Sequence, residues 1–459
     1  MSATATLTLV DGVRIVVPDS LDLVTPYVLR EQEDWFEDEI KFLRRMIAPG
    51  QRVIDIGANY GAYSLCLARA VGPAGQVWAF EPATATAAHL ANSIAANGFT
   101  QITLERSALS SAPGVARLNL EANSEMNAIV RGAGAGTTES VNVVSLDDRQ
   151  RKYDWHDIDF MKIDAEGEEG NILTGGERFF TECSPLVQYE VKAGNDLHLE
   201  LVSRFAALGY ASYRLVPGLD ALIPFDPRVP ADPFLLNLFC CKPMRAEQLE
   251  AAGFLVSSLV TVHANEPYGW RHTLAPLPYG ARLADVWAAT MSRGQSDGVA
   301  SALALHALSR DMTQPVAVRF AALDMGITRL NALCSPQPAY LRLASLARMA
   351  REHGARALAM NALSHLSNNI IASKRIEAEE PFLAPDARFD TLACGDVIGN
   401  WVLAGVLEAL ERVSGFSSYY AGASGLPRLE MIAELGFGSA EMERRLRMVR
   451  TRFKRAPRT

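Results

Sequence analysis

Several features of secreted, membrane-spanning and nucleic-acid-binding proteins are scarce or missing in this sequence. Its 459 residues include only six cysteines, and none forms a C-x-x-C pair, so we expect reduced thiols rather than a disulfide framework. No apolar run approaches the ~18 residues that a membrane-spanning helix needs. No basic segment followed by an apolar core marks a secretory signal. The net charge of −8 argues against a general nucleic-acid binder. We therefore expect a cytoplasmic protein with no nucleic-acid partner and no transmembrane segment.

The length and a change of character along the chain indicate more than one domain. A chain of 459 residues is too long for one ordinary core. Patterns of strand and helix alternate up to about residue 243, whereas the remainder is rich in Ala, Leu, Arg and Met and has no strand pattern. We predict a hairpin and helix over 1–50, a catalytic domain over 51–243 and an all-α domain over 244–459. The last is expected to dock a protein partner or a second copy of the chain.

The first fifty residues predict a β-hairpin and a helix. The runs 7–10 and 13–17 flank Asp11 and Gly12, a pair typical of a two-residue turn. Residues 33–48 follow as an amphipathic pattern that ends at Pro49 and Gly50, which favours a helix closed at that point.

From residue 51 the pattern is that of an α/β fold. Strand-like runs alternate with helix-like stretches. These runs lie at 53–56, 76–80, 102–105, 159–164 and 185–191. Strands that alternate with helices predict a doubly wound, mostly parallel sheet. The runs 117–120 and 140–144 predict a hairpin excursion around the glycine-rich segment 132–136. Ligands of parallel sheets bind beyond the carboxyl ends of the strands, where Asp55, Glu81, Asp164 and Glu190 fall.

The turn that follows the first of these strands suggests a cofactor. Asp55, Gly57, Asn59 and Gly61 form a D-x-G-x-N-x-G pattern that leads into a helix, whose free N–H groups point at the turn. A dinucleotide site needs a glycine at the middle position, which is Asn59 here. The pattern suits a smaller ligand with a carboxylate and an amine, such as S-adenosylmethionine.

A second acidic landmark agrees with this cofactor class. Glu81 ends the next strand and is followed by Pro82. A carboxylate at the end of the second strand can accept hydrogen bonds from both hydroxyls of a ribose. The alternative is that Glu81 is an ordinary solvated acid at the end of a strand, with no role in ligand binding.

The carboxylates near the fourth strand are the candidates for chemistry. If the strand continues, Asp164 and Glu166 share one face. Methyl transfer to a hydroxyl needs a group that accepts its proton, and we predict Asp164, Glu166 and Glu190 for this catalytic role. Alternatively, Asp164 and Glu166 could hold a divalent ion. No histidine lies beside them, and the metal is not favoured. Glu168 and Glu169 fit the start of a helix better.

The motifs together resemble the FkbM-type family of S-adenosylmethionine-dependent methyltransferases. The resemblance runs from about Trp35 to Lys242, and it implies a class I methyltransferase fold and O-methylation of a hydroxyl on a glycan sugar or secondary metabolite. The motifs that carry it, in chain order, are Val53 to Gly61, Phe80-Glu81-Pro82, Asn92 and Asn97, Ser145 to Asp148, and Lys162 to Glu168.

The resemblance also implies roles for individual residues. The turn residues would line the methionine part of the cofactor, Glu81 would hold the ribose, Ser107 and Ala108 would lie by the adenine, and Asp164 and Glu166 would face the methyl group. An acidic residue that many related enzymes place at position 107 is absent. The predicted cofactor-binding set is Asp55, Gly57, Ala58, Asn59, Gly61, Ser64, Glu81, Ser107, Ala108 and Asp164.

Two other classes of function are open to such a chain. One is a methyltransferase fold that acts as a binding or scaffold protein through its helical domain, which the intact Asp55, Gly57, Glu81 and Asp164 argue against. The other is a nicotinamide-dependent dehydrogenase, which Asn59 disfavours. The leading prediction is an O-methyltransferase whose acceptor is a saccharide or another hydroxylated molecule.

Overall fold

The computed structural model describes residues 3–130, 136–193, 196–258, 260–263, 267–293, 297–335 and 341–455. The chain forms two compact units, the first made of Met1–Leu215 with Leu222–Ala252 and the second of Val216–Ala221 with Gly253–Thr459. The division at residues 50 and 243 stays a prediction.

The strands of the first unit form a central sheet and three smaller pairings. They are β1 (Thr4–Thr8), β2 (Arg14–Pro18), β3 (Arg52–Ile56), β4 (Gln76–Phe80), β5 (Ile102–Glu105), β6 (Ala108–Leu109), β7 (Gly114–Asn119), β8 (Ala128–Val130), β9 (Thr138–Val144), β10 (Phe160–Ile163), β11 (Leu186–Glu190), β12 (Lys192–Ala193), β13 (Asp196–Leu197), β14 (Ala211–Val216), β15 (Ala221–Pro224) and β16 (Asn237–Cys241).

The central sheet has eight strands in the order β15-β14-β16-β11-β10-β3-β4-β5. The pairings from β11 through β10, β3 and β4 to β5 are parallel, whereas β16 runs antiparallel to β11 and β14. Central strands covered on both faces read as nearly continuous apolar runs, and in β3 the side chains of Val53, Ile54 and Ile56 are buried. The predicted mostly parallel α/β sheet is confirmed.

Helices connect these strands. In the first unit they are α1 (Val24–Gln32), α2 (Asp38–Met46), α3 (Ala62–Val71), α4 (Thr84–Asn97), α5 (Leu146–Tyr153), α6 (Glu169–Thr174), α7 (Glu177–Glu182), α8 (Glu200–Ala207) and α9 (Pro243–Ala251). α3 follows β3 and α4 follows β4, so the first turn of each helix lies at the carboxyl end of a parallel strand.

The N-terminal prediction was wrong in two details. The hairpin of β1 and β2 closes with a loop longer than two residues, because Thr8 pairs with Arg14 and only Gly12 in the loop has a positive φ, of 80°. The predicted helix 33–48 is the shorter α2, which begins at Asp38, and a further helix, α1, ends just before this range. Glu33 ends α1 in the left-handed conformation with φ of 59°, so a continuous helix cannot pass through it.

A four-stranded small sheet fills the predicted excursion, with the order β6-β9-β7-β8. Its long pair, β7 and β9, is antiparallel, as the hairpin prediction requires. Residues 131–135, which include most of the glycine-rich segment, lie outside the described residues. A short 3₁₀ helix, Ser124–Met126, precedes β8.

The second unit is helical, as predicted for the C-terminal region. Its helices are α10 (Trp270–Thr273), α11 (Pro278–Met291), α12 (Asp297–Arg310), α13 (Val316–Leu333), α14 (Arg342–His353), α15 (Arg356–Ser373), α16 (Ile398–Ser414), α17 (Ser418–Ala421), α18 (Leu426–Leu435) and α19 (Ala440–Arg455). Within the described ranges, none of the helices combines the length and apolar character that crossing a membrane would require.

Both apolar packing and buried ion pairs hold the second unit together. The rings of Tyr279, Trp287, Phe382 and Trp401 contact one another in its core. Buried carboxylates are paired, and Glu408, with no exposed side-chain area, accepts from both Arg388 and Arg412. Buried charges need such partners, so these arginines belong to the folded core.

Candidate active site

The turn between β3 and α3 is packed against two neighbouring strand ends. The N–H groups of Gly57 and Ala58 donate to the carbonyl of Phe80 at distances of 3.1 and 2.9 Å. Gly57 has φ of 79°, and a β-carbon there would lie 1.7 Å from the carbonyl oxygen of Asp164. Glycine is therefore required both for the backbone angle and for the close approach of the segment after β10.

Gly61 has a related explanation. It precedes α3 with φ of 100°, and a β-carbon would lie 2.4 Å from Cδ1 of Leu90. The side chains of Ala58 and Leu90 belong to one buried apolar cluster beneath the turn. The space beside both glycines is thus filled by protein atoms. What the turn can offer to a ligand is its backbone.

Glu81 lies against the same turn. One carboxylate oxygen accepts the N–H of Asn59 and the other accepts the N–H of Ala83, each at 2.9 Å. Glu81 is 6% exposed. Burial raises its pKa to about 7, against the lowering effect of the two N–H groups. Each oxygen can accept a further hydrogen bond, so the carboxylate is fixed in orientation and can still bind a ligand hydroxyl.

Asn59 connects the turn to the small sheet. It adopts a left-handed conformation with φ of 48°, which asparagine tolerates better than most residues. Its side-chain Oδ1 accepts a hydrogen bond from the Ser124 hydroxyl at 2.9 Å. The position that a dinucleotide site leaves open for a pyrophosphate is therefore filled by a bonded side chain.

Asp55 is held below the turn. Its side chain is fully buried, and Oδ2 accepts from the Ser64 hydroxyl at 2.6 Å. Oδ1 has no hydrogen-bond partner among the described residues. Burial raises the pKa of Asp55, against the charge of Lys162 and the Ser64 hydroxyl. Because Ser64 is also fully buried, its hydroxyl orients the Asp55 carboxylate.

Ser107 and Ala108 follow β5. Both are buried, and Ala108 packs with Ala83 and Val143. The hydroxyl of Ser107 has no partner in the part of the chain that the structure describes. A buried polar group without a partner costs free energy, so this hydroxyl calls for a ligand atom or a water.

The three predicted catalytic carboxylates come together. Oxygen atoms of Asp164, Glu166 and Glu190 all lie within 4.8 Å of one another, and we call these residues the carboxylate cluster. The expectation that a continuing strand would align Asp164 and Glu166 was wrong: β10 ends at Ile163, and Glu166 lies in a turn with φ of 48°. The turn, rather than the pleat, brings Glu166 to Asp164.

Two members of the carboxylate cluster, Glu166 and Glu190, have raised pKa values. Burial, followed by the charges of Asp164 and Glu169, raises the pKa of Glu166 to about 8. Burial, followed by the charges of Asp164 and Glu166, raises the pKa of Glu190 to about 10. Both groups therefore carry a proton at neutral pH, and Glu190 donates a hydrogen bond to Asp164. Asp164 instead forms an ion pair with Lys162, with Nζ 2.6 Å from Oδ2.

The same cluster has the composition of a cation site. Carboxylate oxygens are the ligands that Mg²⁺ and Ca²⁺ prefer. However, Lys162 already supplies one positive charge to Asp164. A divalent ion would compete with that ammonium group and with the protons on Glu166 and Glu190.

Glu169 has a separate task in the neighbouring loop. Its Oε1 accepts from the N–H of Ala165 at 2.9 Å, and its Oε2 from that of Gly167 at 3.1 Å. It thus closes the turn that carries Glu166 at the start of α6, in keeping with the helix-start role expected for it.

Two further groups near the site were given no individual role from the sequence. Glu125, in the small sheet's 3₁₀ helix, accepts from the N–H of Thr25 at 3.1 Å, and burial raises its pKa. Its negative charge also raises the pKa of Glu166. Glu37, just before α2, accepts from the Tyr63 hydroxyl. Both lie far from the motifs in sequence, and no spacing rule could connect them.

Part of the chain matches a known protein family, and several solved structures are similar to it. Residues 55–212 match a family model described as "Methyltransferase FkbM domain", and no protein of curated function matches the chain. The chain is similar to the solved structure of a SAM-dependent O-methyltransferase from Thermotoga maritima, with 16% identity over 52% of this chain and 77% of that chain and a TM-score of 0.26. It is also similar to a SAM-dependent methyltransferase from Aquifex aeolicus, with 12% identity over 47% of this chain and 93% of that chain and a TM-score of 0.27. An rRNA methylase from Streptococcus thermophilus is similar as well, with 10% identity over 44% of this chain and 93% of that chain and a TM-score of 0.26.

The strand order is that of a class I methyltransferase fold, and the family match supports a methyltransferase that uses S-adenosylmethionine. Because each TM-score lies below 0.5, the weight rests on the family match and the sheet. The match of residues 55–212 to the FkbM family model confirms the resemblance inferred from the motifs.

Proposed function

We propose that this protein transfers the methyl group of S-adenosylmethionine to a hydroxyl of a saccharide or another hydroxylated acceptor. The observation that carries the proposal is the carboxylate cluster at the carboxyl ends of β10 and β11, next to the glycine turn of the FkbM domain. It offers proton acceptors where the turn would hold a cofactor.

The polar groups of the site fit the parts of this cofactor. The unpartnered Oδ1 of Asp55 suits the cationic amine of the methionine part, the fixed carboxylate of Glu81 suits the ribose hydroxyls, and the unpartnered hydroxyl of Ser107 suits the polar edge of adenine. The backbone at Gly57, Ala58, Asn59 and Gly61 would line the methionine part. S-adenosylmethionine supplies an electrophilic methyl group bound to a positively charged sulfur.

The cluster supplies the proton chemistry. As the oxygen of the acceptor forms its bond to the methyl carbon, its hydroxyl proton must leave, and the carbon–sulfur bond breaks with its electron pair on sulfur. We propose that Asp164 takes this proton, because its partner Lys162 is a cation and its neighbours Glu166 and Glu190 already hold protons at neutral pH. Glu190 then orients Asp164 by donating to it.

An acceptor hydroxyl is favoured over nucleic acid. The side chains around the cluster are acidic, and the protein carries a net charge of −8, which would repel a phosphate backbone. A neutral polyol meets no such repulsion and offers hydroxyls to the carboxylates. The small sheet, which contributes Ser124 and Glu125 beside the turn, is a place for acceptor contacts.

The test is methyl transfer from S-adenosylmethionine labelled in its methyl group to a panel of saccharides. An O-methyl ether survives alkali, whereas a methyl ester is hydrolysed, so alkali-stable label identifies the product. We expect Asp164→Asn to abolish transfer while the protein still binds S-adenosylhomocysteine. Glu177→Ala, at an exposed position on α7, is the control. Label that is lost in alkali, or that appears on RNA instead, would contradict the proposal.

The same assay decides between a general base and a metal. If Asp164 takes the proton unaided, transfer is unchanged by EDTA and by added Mg²⁺. Transfer that disappears with EDTA and returns with Mg²⁺ would assign the cluster to a divalent ion.

A further inference from the structure

A row of polar side chains crosses the middle of the central sheet. Asp55 on β3 pairs in register with Lys162 on β10, and Lys162 pairs with Gln188 on β11. Partners in a parallel, in-register pair project from the same face of a sheet. All three are at most 4% exposed. Central strands are normally apolar, so this buried row needs an explanation.

Lys162 is held from two sides. Its ammonium donates to Asp164 Oδ2 at 2.6 Å and lies 4.8 Å from the centre of the Tyr63 ring, within the range of a cation–π contact. Its side chain is 5% exposed, whereas that of Asp164 is 32% exposed. The cation is therefore sealed inside the protein, and the carboxylate that it touches opens towards the site.

Tyr63 is in turn fixed by its own hydroxyl. The hydroxyl donates to Glu37 and accepts from Nε2 of Gln188 at 3.2 Å. Glu37 also accepts from Nδ2 of Asn237 at 3.2 Å. These contacts join α2, α3, β11 and β16 around the ring that faces Lys162.

Asp164 is surrounded by carboxyl groups, of which Glu166 and Glu190 carry protons. They face it from the N-terminal helices, from β3, from the small sheet and from its own and the neighbouring strand ends, whereas Lys162 is the cation that lies against it among the described residues. Those carboxyl groups are Glu37, Asp55, Glu125, Glu166, Glu169 and Glu190. Burial disfavours the charge on Lys162, but Asp164, Asp55 and Glu37 outweigh it and raise the pKa of Lys162.

A buried ion pair is a poor source of stability. Two charges lose their hydration on burial, and replacement of such a pair by apolar side chains is often neutral or stabilising. We therefore expect Lys162 to contribute more to the position of the Asp164 side chain than to the stability of the fold.

We propose that Lys162 is a positioning residue, fixed by Tyr63 and Glu37, that balances the negative charge of the carboxyl groups around it and keeps Asp164 turned towards the acceptor. The catalytic meaning of this role rests on the proposed methyl transfer. The role itself is a property of the protein without cofactor.

The test is the net charge of purified full-length variants, measured by capillary electrophoresis near pH 7. If Lys162 balances the negative charge of the carboxyl groups that it faces, Lys162→Met loses one positive charge and gains about one proton on those groups, so its net charge stays near that of the wild type. Lys242→Met is the matched control, because Lys242 also lies over a tyrosine ring, 5.3 Å from that of Tyr210, but donates to a backbone carbonyl. It should become more negative by one full charge.

The outcomes separate this inference from the proposed function. A Lys162→Met protein that is more negative by one full charge, like the control, would overturn the positioning role even if S-adenosylhomocysteine binds. Where Lys162→Met does not fold, Lys162→Gln carries the same expectation. In the methyl transfer assay, Lys162→Met should move the acidic limb of the pH profile upwards, and Lys162→Arg should restore it; a loss of rate with an unmoved profile would indicate a merely structural role.

Discussion

At the scale of the residue, Glu81 is the group whose ionisation should be visible in binding. Its pKa is raised by burial to about 7, and only the ionised carboxylate can accept from both ribose hydroxyls. Affinity for a ribose should therefore be full above pH 7 and fall as the pH drops through 7, by about tenfold between pH 8 and 6.

The probe for this prediction is 5′-methylthioadenosine, which carries adenine and ribose but no amino-acid part. We expect Glu81→Gln to bind it more weakly and with no dependence on pH in this range, because the amide does not titrate. Isothermal calorimetry on both proteins gives the comparison. A wild-type affinity that is flat from pH 6 to 8 would refute the ribose role of an ionised Glu81.

Gly57 gives a second prediction at this scale. Gly57→Ala combines a positive φ with a β-carbon 1.7 Å from the carbonyl oxygen of Asp164, and should lower the free energy of unfolding by about 2–4 kcal/mol. Gly98 is the matched control, since it has φ of 66° but nothing within 4 Å of its β-carbon position; Gly98→Ala should cost about 1 kcal/mol. Thermal unfolding measures both, and equal losses would contradict the packing argument.

The individual residues of the site were partly readable from the sequence. Asp55, Glu81, Asp164 and Glu190 follow or end strands, and strand ends of a parallel sheet meet at one edge. The actual partner of Glu81, the N–H of Asn59, and the turn that carries Glu166 depend on local backbone angles, which an apolar pattern does not encode. Lys162 was visible within a motif, but its burial depends on α3 and α2.

At the scale of the element, α1 shows how a distant segment can complete a helix. Its N-terminal residue has no side-chain cap of its own. Instead, Oδ1 of Asn123 accepts the N–H of Val24 at 2.9 Å, and Glu125 accepts that of Thr25 at 3.1 Å. The small sheet therefore caps α1 across about a hundred residues of sequence, and the contact ties both elements to the turn at Asn59.

We expect Asn123→Ala to loosen both elements together. Loss of a capping acceptor costs about 0.5–2 kcal/mol, so hydrogen exchange should become faster in the first turn of α1 and in residues 123–127. Asn127→Ala is the control, because Oδ1 of Asn127 accepts the N–H of Glu121 within the small sheet. If hydrogen exchange in α1 is unchanged in Asn123→Ala, the capping hydrogen bond does not stabilise the start of α1.

The order of the elements was predictable, and their ends were less so. Strongly apolar runs identified β3, β4, β10 and β11, and periodic runs identified the helices that follow. The helix predicted over 33–48 begins only at Asp38, because Glu33 is left-handed and ends the preceding α1. The N-terminus of α1 has no local cap signal, since its cap comes from Asn123.

At the scale of the whole molecule, the two units should respond to pH in opposite directions. In the first unit, Glu81, Glu166 and Glu190 have raised pKa values of about 7, 8 and 10. A carboxyl group whose pKa is raised on folding stabilises the protein fully below its unfolded pKa, and this contribution is lost as the pH rises towards the folded pKa. The first unit should therefore gain stability from pH 8 to pH 5.

The second unit should do the reverse in acid. Burial opposes the charge on Glu352, but His306 and Arg348 outweigh it and lower the pKa of Glu352 to about 2. The resulting stabilisation, on the order of 3 kcal/mol, is present above the unfolded pKa near 4.5 and is lost as the pH falls towards 2. Asp386, whose pKa is also lowered by Arg351 and Arg412 despite its burial, acts in the same direction.

Differential scanning calorimetry from pH 3 to 8 measures both effects. S-adenosylhomocysteine identifies the transition of the first unit, because a ligand raises the stability of the unit that binds it. Between pH 5 and 3 the other transition should move to lower temperature. Two transitions that shift together across the whole range would contradict the assignment.

The helical character of the C-terminal region was predicted from composition, but its buried ion pairs were not. The family match spans residues 55–212 and leaves the helices after residue 252 without a counterpart. Their buried ion pairs, such as Glu408 with Arg388 and Arg412, join residues far apart in sequence. A pattern of alanine, leucine and arginine predicts helices, and it says nothing of which arginines are buried.

The central claim is that the turn and Glu81 hold S-adenosylmethionine, and calorimetric titration with S-adenosylhomocysteine tests it most directly. We predict one site per chain with micromolar affinity, unchanged by EDTA, at least about tenfold weaker in Glu81→Ala and unaffected in Glu177→Ala. The absence of binding to the wild type, or equal binding to Glu81→Ala, would contradict the account.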